Sequence, residues 1–333
     1  MSSLQRPRLT FACEVDPIRM SALIANTSVI ADLQALDARV ALMLSDLSDE
    51  RAFSIQALNR AAIPVIAVPL VSLEEGYYFT ADNAPRAAER YEEWKAWTVR
   101  HKLSWAGVGL DIEPDAQLYL QLMDNPWRLV PTLISRLFDR ARPNRAKAAY
   151  TSLVERIRSD GFSVENYQFP LIADERWARS TMLQRMFGLV DVRTDREVWM
   201  LYTSVLPFVG PGLLWIYAAE AEAVGVGSTG GGPDIPGHPR VPALNWHAFA
   251  RDLRLARHYC DELLIHSLEG SVEQGFLSRL RGFDWERAET PPATARLAAA
   301  FRHVLRGVLW AGARPWPAVG IAAASLWIFS RLR

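Results

Sequence analysis

The chain has 333 residues, of which half are hydrophobic and 22% are charged. This is enough for a large buried core, and because α/β barrels of this length fold as single units, the length does not require two domains. Basic and acidic side chains number 37 each, so the net charge is zero, which argues against a nucleic-acid-binding protein.

The two cysteines and the amino terminus predict the compartment. Cys13 and Cys260 are too few and too far apart for a disulfide framework or a zinc knuckle, so we expect buried free thiols. Residues 1–10 contain no apolar segment of the kind found in signal peptides. The sequence therefore predicts a cytoplasmic chain, and no motif in it indicates a cofactor.

Strands and helices alternate along the first third of the chain. Short apolar runs predict strands, and longer stretches with a helical period follow them. The predicted strands are 9–17, 39–46, 64–70 and 105–113, and the predicted helices are 20–36, 51–62 and 85–102. Four such units by residue 115 project to about eight over the chain, which predicts a (β/α)8 barrel, or TIM barrel.

The remaining pattern completes the count of eight. A long helical region at 117–159, interrupted near 143–144, precedes the fifth strand. The predicted later strands are 163–170, 198–204, 223–228 and 262–269, and the predicted helices are 175–189, 213–222, 244–259 and 271–280. The Gly/Pro-rich loop at 229–242 allows close backbone approach but lacks the spacing of a phosphate-binding loop.

The composition changes after the barrel. Residues 1–288 form the predicted barrel domain and 289–333 a helical tail, with a basic amphipathic helix at 293–309. Residues 316–329 are uncharged, and this run of 14 is shorter than the roughly 20 residues that cross a bilayer as a helix. Tryptophans near both ends are typical of a membrane interface. We expect membrane contact through residues 308–333; the alternative is a helix that packs on the barrel or on another subunit.

The fourth predicted strand ends in two acids, Asp111 and Glu113, followed by a proline. Side chains alternate across a strand, so both carboxyl groups should face the same space. Two close carboxyl groups tend to separate their pKa values, which leaves one of them able to act as an acid. The alternative is that an acid at this position only caps the next helix.

The carboxyl ends of all eight strands meet at the face where barrel enzymes have their active sites. The residues expected there are Glu14, Asp16, Asp46, Asp111, Glu113, Tyr167, Gln168, Tyr202, His266 and Glu269. Several carboxylates with aromatic neighbours predict hydrolysis of a glycosidic bond, with Glu113 as the general acid.

Two short motifs resemble a known family. Residues 107–113 (GVGLDIE) are similar to the fourth-strand signature of family 18 chitinases and related barrel glycosidases, and residues 200–202 (MLY) resemble their sixth-strand Met-x-Tyr-Asp. The resemblance implies that Glu113 is the proton donor and that Asp111 orients the substrate's N-acetyl group, which acts as the nucleophile. It also implies that Tyr202 assists that group.

The chain departs from the family pattern at three positions. Two earlier aspartates of the signature fall on Ala106 and Gly109, and the aspartate after the tyrosine is Thr203. A two-carboxylate glycosidase is therefore also consistent with the sequence. The substrate-binding residues would be Glu14, Asp16, Asp46, Tyr167, Gln168, His266 and Glu269.

Two further alternatives have a different chemistry. The acids and His266 could hold Mg²⁺ or Mn²⁺ in a barrel isomerase or phosphoesterase, since oxygen-rich sites suit hard metals. A non-catalytic barrel that binds a glycan or a protein partner is the third. We expect a carbohydrate substrate without a metal, and no nucleic-acid partner.

Overall fold

The computed structural model describes residues 6–114, 125–232 and 241–314. Eight parallel strands close into a barrel in chain order, with β8 hydrogen-bonded to β1. The predicted (β/α)8 fold is confirmed. The strands are β1 (Arg8–Cys13), β2 (Arg39–Leu44), β3 (Val65–Pro69), β4 (Gly107–Asp111), β5 (Val164–Gln168), β6 (Arg196–Met200), β7 (Ala223–Gly227) and β8 (Glu262–His266).

The apolar strand runs arise because both faces of each strand are covered. On β2, Ala41 and Met43 belong to the cluster inside the barrel, whereas Val40 and Leu42 pack in the larger cluster under the helices. A parallel sheet buried on both faces reads as a continuous apolar run. Cys13 and Cys260 are buried and free, as expected.

Helices surround the barrel, with a short 3-10 turn at Leu73–Glu75. The α-helices are α1 (Pro17–Ala25), α2 (Thr27–Ala35), α3 (Asp49–Arg60), α4 (Ala84–His101), α5 (Pro126–Phe138), α6 (Ala141–Ser159), α7 (Leu171–Ala178), α8 (Met182–Phe187), α9 (Gly210–Ala218), α10 (Trp246–Arg257), α11 (Leu268–Glu273), α12 (Phe276–Leu280) and α13 (Ala295–Ala313).

Local capping explains where these helices differ from the prediction. The helix expected at 20–36 is two helices, because the Asn26 side chain accepts a hydrogen bond from the Ser28 backbone and starts a new helix. The break expected near 143–144 lies at 139–140 instead. Pro143 is in the first turn of α6, where its missing N–H costs no hydrogen bond. The start of the helical region predicted at 117–159 lies outside the described residues.

All eight strands end earlier than predicted, by one residue at β3 and β7 and by four at β1 and β6. Strand β6 ends at Met200 and β8 at His266. Tyr202 therefore lies in the turn after β6, and Glu269 lies in the first turn of α11. The side chain of Ser267 accepts a hydrogen bond from the Gly270 backbone and so begins α11 directly after the strand.

Charged residues close the amino end of the barrel. Arg196 Nε lies 2.8 Å from Glu262 Oε2, and Arg39 lies 3.8 Å from both Glu165 and Glu262. These four side chains line a cavity of about 10 Å³, the size of one water molecule. We call this set of four residues the charged layer.

The C-terminal helix α13 packs against α7 and α9. Asp174, which is fully buried, lies 2.7 Å from the Nε atoms of both Arg302 and Arg306. Arg302 also pairs with Glu220 at 2.7 Å. Within the described ranges, none of the helices is long and apolar enough to cross a membrane. The domain boundary at residue 288 stays a prediction.

Candidate active site

Three ionisable side chains meet at the carboxyl end of the barrel. Glu14 follows β1, Asp111 ends β4 and His266 ends β8. Both carboxylic residues are buried, with 5% and 6% of their surface exposed. His266 Nε2 lies 3.4 Å from Glu14 Oε2. The alternation along each strand turns these side chains toward the inside of the barrel.

Burial and neighbouring charges shift the pKa values of Asp111 and His266. Burial raises the pKa of Asp111 to about 7, the charge of Glu14 adds to the increase, and the charge of His266 opposes it. Burial lowers the pKa of His266, but the hydrogen bond and charge of Glu14 outweigh that effect and leave it raised. Near neutral pH the site therefore holds one carboxyl group that readily keeps its proton beside a histidine that favours the charged form.

Several polar atoms of this site are buried without a partner among the residues that the structure describes. They are Glu14 Oε1, Asp111 Oδ1, His266 Nδ1 and Glu269 Oε2. Buried polar atoms in proteins are nearly always hydrogen-bonded, so a cluster of unpartnered ones is typical of a site that receives water or a ligand.

Tyrosines surround the acids. The ring centroid of Tyr202 lies 5.4 Å from that of His266, and the rings of Tyr77 and Tyr78 meet edge to face at 4.9 Å. Burial raises the pKa of each tyrosine, and the charges of Glu14 and Asp111 raise it further. All three hydroxyl groups therefore keep their protons and can donate hydrogen bonds.

The loop after β3 positions two of these tyrosines. Tyr77 has a φ of +67°, a left-handed conformation that is uncommon for a large side chain. Its backbone N–H donates to Ser72 O, and its carbonyl accepts from the Val71 N–H. The sequence pattern does not single out Tyr77 or Tyr78 as residues of the site.

A glycine turn after β7 covers Glu269. The Gly232 N–H donates to Glu269 Oε1 at 2.9 Å. Gly231 has a φ of +82°, and a Cβ atom there would overlap the Glu269 side chain. A Cβ atom on Gly232 would be 3.7 Å from His266 Cε1. Only glycine fits so close an approach of the backbone, which brings Glu269 to the edge of the site although it lies on α11.

Glu113 lies beside the cluster. Its backbone N–H donates to Phe79 O at 2.8 Å, and its charge contributes to the raised pKa values of Tyr78 and Tyr202. The structure thus brings together six of the expected site residues: Glu14, Asp111, Glu113, Tyr202, His266 and Glu269.

Four expected residues lie elsewhere. Asp16 is exposed and caps α1 through the Arg19 N–H. Asp46 accepts two hydrogen bonds from the buried Arg51, at 2.6 and 3.0 Å. The Tyr167 hydroxyl donates to Glu165, toward the amino end of the barrel. Gln168 donates to Val190 O. It lies on the outer face of β5, because its neighbour Tyr167 points inward.

The sixth-strand motif does not reproduce the glycosidase arrangement. Thr203, which replaces the family's aspartate, is buried and donates its hydroxyl hydrogen bond to Asp252 of α10. Its side chain is therefore engaged by a helix outside the barrel and does not join Asp111 and Glu113.

Three comparisons relate this chain to known proteins. No family model matches the chain, and no curated protein matches it. Among solved structures, an L-ribulose 3-epimerase is 15% identical with a TM-score of 0.43, over 95% of this chain and 98% of that chain. A D-allulose 3-epimerase from Methylomonas sp. is 13% identical with a TM-score of 0.42, over 91% and 100%.

The predicted family 18 resemblance is therefore wrong. No family model supports it, and Thr203, which stands where the family has an aspartate, is bound to Asp252. The predicted glycoside hydrolase activity is wrong as well. The matching residues are two short motifs, and a D-x-E triplet at the end of a buried strand also occurs in barrels of other chemistry.

The divalent-metal alternative requires several ligands around one point. Within residues 6–114, 125–232 and 241–314, no three His, Cys, Asp or Glu side chains are placed to hold a metal ion. The chemistry proposed below uses the chain's own groups.

Proposed function

We propose that this barrel is an isomerase that moves a proton at the carbon beside a carbonyl group, with a small sugar as the substrate. The observation that carries the proposal is the pair of buried carboxyl groups of Glu14 and Asp111. The pKa of Asp111 is raised to about 7 by burial and by the charge of Glu14. Each group also has one oxygen without a partner among the described residues.

The barrel order supports a reaction in which the two groups act from different sides. Glu14 follows β1 and Asp111 ends β4, and in a closed eight-stranded barrel these strands are three positions apart, close to the maximum of four. A planar intermediate bound between them would have one carboxyl group near each face. That is the arrangement needed to invert a carbon centre.

The two carboxyl groups move the proton in two steps. The Glu14 carboxylate takes the proton from the carbon beside the carbonyl, and the C–H electron pair forms the double bond of an enediolate. The Asp111 carboxylic acid then returns a proton to the opposite face, and the carbonyl re-forms with inverted configuration. Glu14 ends protonated and Asp111 ionised, so exchange with water or the reverse reaction resets the pair.

His266 and the tyrosines have supporting roles. A protonated His266 donates through Nε2 to Glu14, which leaves the Nδ1 proton for the negative oxygen of the enediolate. The hydroxyls of Tyr77, Tyr78 and Tyr202 can bind substrate hydroxyl groups, and their rings can pack on the apolar face of a sugar ring. These contacts support a polyhydroxy substrate.

The experiment is proton exchange in deuterated water. The purified chain is incubated with a panel of ketoses and aldoses, and NMR follows loss of the hydrogen beside the carbonyl and formation of the epimer. Glu14→Gln should lower both exchange and epimer formation by about 10²- to 10⁴-fold, and Asp111→Asn should lower epimer formation by a similar factor. Glu273→Gln is the control that should change neither, because Glu273 is exposed and lies on the same helix as Glu269.

The pH profile provides a second readout. Asp111 must be protonated to donate its proton. In the reaction direction in which Asp111 is the donor, formation of the epimer should therefore fall as the pH rises through about 7. Absence of exchange on every sugar would refute the proposal, as would epimer formation that persists in both carboxyl variants. Activity lost to EDTA and restored by Mn²⁺ would refute the metal-free assignment.

We also propose that the tail contacts a membrane through residues 308–333. The apolar composition of 316–329, with Trp316 and Trp327 near its ends, supports this. Most of that segment lies outside the described residues.

A further inference from the structure

Helix α5 has an apolar stripe on the protein surface. Trp127, Val130, Ile134 and Phe138 are 81%, 39%, 54% and 76% exposed. Their spacing of three and four residues places them on one face of the helix. An isolated exposed apolar residue is ordinary, but a continuous stripe on a basic amphipathic helix is typical of a membrane-interface helix.

The C-terminal helix α13 has a second stripe. Leu297, Phe301, Val304 and Val308 are 60%, 52%, 67% and 52% exposed, again at spacings of three and four residues. Arg302 is buried on the opposite side, where it pairs with Asp174. The ion pairs therefore fix α13 with its apolar stripe directed away from the barrel.

Helix α8 brings the two stripes to the same side of the barrel. Arg185 on α8 donates to Leu137 O at the end of α5. At the other contact, a Cβ atom on Gly312 of α13 would lie 3.2 Å from Met182 Sδ on α8. We call the stripes of α5 and α13 together the apolar flank.

The charge around the apolar flank decides between a lipid surface and a second copy of the chain. The described residues 126–145 and 295–314 contain nine arginines and one aspartate, a net charge of +8 in a chain whose net charge is zero. Pairing with Asp82, Asp174 and Glu220 reduces the excess to +5. Two such surfaces would repel each other, whereas anionic lipid headgroups attract them.

We propose that the apolar flank is a membrane-docking surface that binds anionic bilayers, with α5 and α13 lying in the plane of the interface. This inference is independent of the proposed isomerase activity. The new element is α5, which lies far from the tail in sequence and joins it only in the fold. The apolar residues would enter the headgroup region, and the arginines would contact lipid phosphates.

The test is flotation of the full chain with vesicles of phosphatidylcholine alone or with phosphatidylserine at about 30 mol%. Two double variants place charge on the stripes: Ile134→Glu with Phe138→Glu, and Phe301→Glu with Val304→Glu. The matched control is Ile18→Glu with Val99→Glu, which changes two residues that are 80% and 74% exposed on other helices. All six positions are exposed, so the variants should fold, which circular dichroism checks.

We expect binding to the anionic vesicles that weakens with salt, and a loss of at least about tenfold in each stripe variant but not in the control. No binding to anionic vesicles would overturn the proposal. Equal losses in the stripe and control variants would also overturn it. A dimer in solution that the stripe variants dissociate, without vesicle binding, would show that a second copy covers the flank.

Discussion

Replacing Asp111 with asparagine removes the charge but keeps the shape of a side chain that is only 6% exposed. The pKa of this carboxyl group is raised from 3.8 to about 7 in the folded chain. Each pKa unit corresponds to 1.36 kcal/mol, so ionising Asp111 costs the folded state up to about 4 kcal/mol relative to the unfolded state. The folded state therefore has its full stability with respect to Asp111 below pH 3.8, and it loses this free energy as the pH rises to about 7.

The expected result is a change in relative stability with pH. Relative to wild type, Asp111→Asn should gain up to about 4 kcal/mol in the free energy of unfolding between about pH 4 and pH 8. Urea unfolding at several pH values measures it, with Glu273→Gln as the control because that residue is exposed. A difference between wild type and Asp111→Asn that stays constant across this range would refute a raised pKa at Asp111.

Two further predictions concern backbone fit and burial. Gly231→Ala should destabilise the chain by about 2 kcal/mol, because a Cβ atom would overlap Glu269 at a left-handed φ, whereas Gly282→Ala has open space and should change stability little. Arg302→Ala leaves buried Asp174 with one arginine fewer, and we expect a loss of about 3 kcal/mol by urea unfolding. Stability equal to wild type in either Gly231→Ala or Arg302→Ala would contradict the packing or the ion pair described.

The barrel could be predicted because its signal is repetitive. Each strand is a short apolar run between helical periods, and all eight lie where the pattern predicts them. The ends of β6 and β8 could not be predicted, because the pattern of apolar and polar side chains does not change after Met200 and His266. Where β8 ends depends on Ser267, a helix cap that could also be an ordinary strand residue.

The site was partly predictable for the same reason. Strand ends that carry acids meet at one face, so Glu14, Asp111 and His266 could be expected together. Tyr167 and Gln168 could not both face inward, since neighbours on a strand point to opposite faces. The partner that engages Asp46, the Arg51 guanidinium, is set by the packing of a helix and leaves no mark in the strand pattern.

The resemblance to glycosidases was wrong because it depended on two short motifs. A motif of a few residues specifies which side chains reach a strand end but not what surrounds them. In this chain Thr203 is engaged by Asp252, and Tyr77 and Tyr78 come from a loop that precedes the motif at residues 107–113. Neither feature is visible in the motif itself.

The charged layer closes the amino end of the barrel. Among the described residues, Arg39, Arg196, Glu165 and Glu262 fill that end and leave space for about one water molecule, too little for a sugar to pass. A reactant and its product would then share the opposite mouth, where Tyr77 and Tyr78 lie. The product must therefore leave before the next reactant can enter.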